Sequence, residues 1–87
     1  MHETGLVRAL IRQIDQVAAA HGATRVSGVA VWLGALSHLS AAHFREHFEA
    51  ESRGSAAEGA KLTITESADS ADPDAQHLRL ESVDMEA

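Results

Sequence analysis

The residues with the clearest chemistry stand first in the chain, Met1-His2-Glu3. A free α-amine, the next amide nitrogen and the His2 imidazole can close fused five- and six-membered chelate rings on one metal ion. Nitrogen donors in a plane suit Ni(II) or Cu(II) better than zinc or magnesium. The metal drives ionisation of the amide, so binding releases protons and weakens in acid. From spacing alone, the plainer reading of position 2 carries more weight: a solvated histidine at a frayed end, since short motifs recur by chance. His43 and His47 are a second candidate. Four residues apart on a helix, they share a face and could clamp a divalent ion, although no third ligand is placed by the sequence. A solvated or half-buried helix edge is the plainer reading of that pair too. His21, His38 and His77 stand alone and read as surface or capping residues.

Other chemistries are excluded or poorly supported. The chain has 87 residues and Cys 0, which removes thiolate zinc sites, iron–sulfur clusters, thiol redox chemistry and a cysteine nucleophile. Ser37 and Ser40 lie near His38 and His43, but nothing orders a base or an oxyanion pocket around them. No glycine-rich phosphate loop is present. The net charge of −6 sits entirely in residues 66–87, where Glu66, Asp69, Asp72, Asp74, Glu81, Asp84 and Glu86 face Arg79 alone. Such a segment repels phosphate backbones and anionic lipid, so neither nucleic acid nor membrane is expected as a partner. No long apolar run and no basic leader followed by an apolar stretch is visible, so a cytoplasmic protein is expected.

The elements that must position these residues follow from periodicity. Residues 4–21 predict an amphipathic helix, with Leu6, Leu10, Ile14, Val17 and His21 in a stripe widened by Val7, Ile11 and Ala18. Thr4 is its expected N-cap and Gly22 its left-handed C-cap. Residues 25–33 predict a strand with Val29, Val31 and Leu33 on one face, Ala30 and Trp32 on the other, and a bulge or close approach at Gly28. Residues 35–39 form a loop. Ser40 caps a second helix over 41–52, anchored by Phe44 and Phe48. Residues 60–66 alternate as a strand. Residues 67–75 are turn-rich and acidic, and 76–85 alternate again with a phase shift between Leu80 and Val83. The expected architecture is α+β: two helices packed on one face of a small three-stranded sheet, in one domain. That arrangement leaves Trp32 in partial solvent on the opposite face, where it is expected to meet a partner, either a second copy of the chain or another protein.

Several spaced landmarks resemble one known family. They are Met1-His2-Glu3, the helix ending at His21-Gly22, Val29-Ala30-Val31-Trp32-Leu33-Gly34-Ala35-Leu36-Ser37, Phe48-Glu49, Arg53-Gly54-Ser55, and Glu58-Gly59-Ala60-Lys61-Leu62. Their order is similar to that of the HypA/HybF hydrogenase nickel-incorporation proteins over about residues 1–65, resuming at Leu78-Arg79-Leu80-Glu81-Ser82-Val83. The resemblance implies a nickel-binding metallochaperone or accessory factor in the maturation of [NiFe] hydrogenase, not an enzyme. It implies Ni(II) held by the Met1 amine, by the amide and imidazole of His2, and by the amide of Glu3. Implied partners are the hydrogenase large subunit or a maturation GTPase of the HypB type.

Two departures accompany the resemblance. Family members usually insert a zinc domain with two Cys-x-x-Cys pairs between the last two strands. Here residues 67–75, a short acidic linker, stand in its place. The expectation is a single domain over 1–87, with the zinc lobe absent and no structural zinc. The loop after Leu36-Ser37 usually carries an acidic residue linked to the nickel site, and this chain has Ser40 there. The rival reading is therefore a HypA-derived adaptor or assembly module that has lost metal delivery.

Overall fold

The computed structural model describes residues 3–86. Element order is α1 (Glu3–Ala20), β1 (Arg25–Leu33), α2 (Ala41–Glu51), β2 (Lys61–Glu66) and β3 (Leu78–Glu86). The sheet order is β2-β1-β3. β1 pairs in parallel with β2 and antiparallel with β3. The parallel pair is joined through α2, the helical crossover that parallel strands require.

The expected α+β architecture holds, and its local signals are realised in detail. At the end of α1, Ala23 N–H donates to Ala18 O (2.9 Å) and Gly22 N–H to Ala19 O (3.1 Å). With Gly22 at φ 67, this is a Schellman closure. Ser40 caps α2, its hydroxyl accepting from His43 N–H at 3.1 Å. The register of β1 against β3 shifts between Val26 and Gly28 and again between Ala30 and Val31. The second shift is the phase change that the sequence shows between Leu80 and Val83.

The core joins Val7, Leu10, Ile11, Ile14 and Ala18 of α1 to Phe44 and Phe48 of α2, over Val26, Val29, Val31, Leu33 and Leu62 of the sheet. Phe44 and Phe48 are fully enclosed, with ring centroids 6.2 Å apart. The buried stripe of α1 is rotated slightly from the expected one: Leu6 and Val17 are half-buried at its margin and His21 is exposed. The helix also begins one residue early. Thr4 therefore lies inside α1 rather than capping it.

The expectation that Trp32 lies in partial solvent fails. The residue points away from the helices, as alternation requires, yet it is only 8% exposed. The guanidinium of Arg79, its register partner on β3, lies 4.1 Å from the ring centroid. The same guanidinium donates from Nη1 to Asp74 Oδ2 at 3.0 Å. The bland residue count of a three-stranded sheet missed this cover, because the acidic connection folds back over the end of β1. Leu36 N–H donates to Ala75 O (2.7 Å) and Gly34 N–H to His77 O (2.9 Å). A Cβ on Gly34 would stand 2.2 Å from Ala75 O, so only glycine permits this approach.

Candidate functional site: the seam between the two helices

Of the three sequence-predicted ligands, Met1 and His2 lie outside the described residues, and Glu3 opens α1. The Glu3 side chain is largely buried against α2. Its Oε2 lies 3.9 Å from His47 Nε2. The other oxygen, Oε1, is buried and has no hydrogen-bond partner among the described residues. His47 Nδ1 lies 3.4 Å from the Thr4 hydroxyl. One turn further along both helices, Arg8 Nε donates to Glu51 Oε1 at 3.0 Å. The two contacts advance together, so α1 and α2 run parallel, with the start of α1 set against the last turns of α2.

His43 and His47 share a face of α2 but differ in surroundings. His43 is exposed and its backbone N–H is taken by the Ser40 cap, whereas His47 is half-buried and turned to Glu3 and Thr4. Among the described residues no group of three or more His, Asp or Glu side chains converges as a metal cluster. Ser40, at the position where an acidic residue was expected from the resemblance, has its hydroxyl engaged in capping α2. Of the remaining histidines, His21 Nδ1 lies 2.9 Å from Val17 O at the end of α1, a capping contact. His38 adopts φ 61 in the loop before α2. His77 lines an open groove of about 220 Å³ with Leu6, Leu10, Leu39 and Leu78.

The Glu3–Thr4–His47 contact was not read from the sequence. A usable signal was present: Thr4 and Arg8 are one turn apart, His47 and Glu51 are one turn apart, and Arg8 and Glu51 are of opposite charge. Two complementary pairs at equal spacing are what parallel helices in register would bring together.

Comparison with known proteins agrees with the fold and shows the family. The family profile described as "Hydrogenase/urease nickel incorporation, metallochaperone, hypA" matches residues 1–73. The chain is similar to the hydrogenase maturation factor HypA of Escherichia coli (strain K12), with 42% identity over 66 residues, 76% of this chain and 57% of that protein. Its similarity to the HypA of Azotobacter vinelandii is 36% over 66 residues, covering 76% and 58%. The chain thus spans less than two thirds of the length of these relatives. The fold is shared with the solution structure of the Ni metallochaperone HypA from Helicobacter pylori, at TM-score 0.83 and 21% identity over 98% of this chain and 97% of that one.

Proposed function

The chain belongs to the HypA family of hydrogenase/urease nickel-incorporation metallochaperones, and from that premise we propose that it carries Ni(II) as cargo for hydrogenase maturation. The family is one of metallochaperones, not of enzymes. The observation that carries the proposal is the family match beginning at residue 1, which places Met1-His2-Glu3 inside the matched segment. His2 is the principal side-chain ligand, Met1 supplies the amine, and Glu3 supplies its amide. Nitrogen donors of this kind favour Ni(II) over harder ions. The family's work in hydrogenase maturation supports a partner from that machinery, either the hydrogenase large subunit or a GTPase of the HypB type. No zinc is assigned a structural role, since the chain has Cys 0 to supply thiolates.

The test is calorimetric titration of Ni(II) into untagged protein beginning at Met1, beside His2→Ala. One ion per chain is expected for the parent. Removing the imidazole should weaken binding by at least about tenfold, the cost of losing about 1.4 kcal/mol of interaction. Unchanged stoichiometry and affinity in His2→Ala would sink the assignment. The adaptor reading keeps one observation in its favour, the commitment of the Ser40 hydroxyl to the helix cap. A parent that binds no nickel would leave that reading standing.

A further inference from the structure

The open face of the sheet carries a cation and a carboxylate placed symmetrically about one small residue. Thr63, Ala30 and Ser82 form one register row across β2, β1 and β3. Two residues along β1 in one direction is Trp32, paired with Arg79; two in the other is Gly28, paired with Asp84. Arg79 and Asp84 are five apart, an odd spacing that a regular strand would send to opposite faces. The register shift between Ala30 and Val31 inserts one residue of β3 and returns both to the same face. The two ends differ in relief. At one, the Arg79 guanidinium is stacked on the Trp32 ring at 4.1 Å, with one N–H given to Asp74 and others free. At the other, Gly28 has no side chain, and the Asp84 carboxylate lies across it: a Cβ there would stand 2.8 Å from Oδ2. Asp84 makes no ion pair among the described residues. One end is therefore raised and positive, the other low and negative.

We propose that this face is the interface of a face-to-face dimer, in which Arg79 of each chain pairs with Asp84 of the other. A two-fold axis along the Thr63–Ala30–Ser82 row, perpendicular to the strands, exchanges the two ends. It sets the second copy's Asp84 over Arg79 and its Gly28 over the Trp32–Arg79 stack, and each contact is made twice. Ala30 sits at the axis, where a small side chain lets the sheets approach. An axis along the strands would instead bring one Arg79 guanidinium against the other, which like charge opposes. The face measures roughly 14 Å across three strands and 20 Å along six residues. Such an area is at the low end for specific association, so the dimer is weak, reversible and salt-sensitive. The helices lie on the other side of the sheet, and the Glu3–His47 seam stays free in the dimer.

The experiment is sedimentation of the full chain from micromolar to millimolar concentration, at low and high salt. The parent should rise toward twice the monomer mass and fall back in salt. Arg79→Glu and Asp84→Arg each set like charges at both contacts, and each should weaken self-association at least about 100-fold. Mixed in equal amounts, the two variants should associate within about tenfold of the parent, because each reversed charge then meets its opposite on the other chain. Lys61→Glu, which faces Thr65 of the second copy, should associate as the parent does. Circular dichroism and urea midpoints confirm that each variant is folded, and Asp84→Arg leaves the lid on Trp32 in place. A parent that stays monomeric at millimolar concentration would overturn the dimer and leave the face to a different protein. A mixture that stays monomeric, or a loss in Lys61→Glu equal to that in Asp84→Arg, would overturn the pairing.

Discussion

The two faces of the sheet are covered on different terms. On one, Val29, Val31 and Leu33 meet an apolar layer from both helices, with Phe44 and Phe48 enclosed at its centre. On the other, one indole is covered by one guanidinium, which is itself about half exposed and steadied by Asp74. The first face gains from apolar area removed from water. The second gains from a polar lid that hides an aromatic ring while remaining solvated itself. The lesson is that a small sheet can shelter its second face without a second layer of structure, provided a neighbouring strand offers a long cationic side chain.

The largest break in this comparison comes from the helical face. Phe44→Ala should cost about 3–5 kcal/mol, enough to leave a domain of this size with little net stability. The expected outcome is a lost or strongly shifted urea transition. Trp32→Ala should cost less, about 2 kcal/mol, because the void opens beside a flexible, solvated lid that can settle into it. The same urea titration, followed by circular dichroism, ranks the two. An equal loss from both variants would mean that the faces are energetically alike. The finest test is Arg79→Gln, expected to cost about 0.5–1 kcal/mol. Since the chain has Trp 1, the indole emission reads this face alone and should shift to the red as water reaches the ring. Emission identical to the parent's would show that the connection around Ala75, not the guanidinium, shields the indole.

The helical face was legible in the sequence because each of its determinants is local. Periodicity placed Phe44, Phe48, Leu10 and Ile14. Ser40 and Gly22 punctuated the helices, and the phase slip after Leu80 announced a bulge that the register of β3 confirms. The open face was not legible. Whether Trp32 is wet depends on which strand lies beside it, and that β3 supplies Arg79 is a fact of strand order, invisible to composition. The site shows the same division. Residue types alone left Met1-His2-Glu3 closer to a solvated end than to a chelate, and only the family resemblance turned that balance, whereas the approach of His47 to Glu3 depends on the helices running parallel with an offset set by the crossover. The spacing of His43 and His47 instead suggested a pair that the fold separates in role.

The position of β1 between two strands that both follow it in the sequence bears on how the protein comes into being. As the chain is synthesised, β1 is complete before either of its neighbours exists. The first partner to arrive is β2, by a parallel pairing that must wait for the whole of α2. The second is β3, whose register runs from Leu33 against Leu78 back to Arg25 against Glu86. Until Glu86 has emerged, one side of the middle strand is a bare row of backbone donors and acceptors bearing valines, the kind of surface that pairs with stray strands. Early protection therefore falls to α1, which precedes β1 in the chain, and the native sheet closes only once β3 has been made. A polypeptide stalled within residues 67–77 would carry both described helices and most of the core, and would still present the unpaired edge of β1.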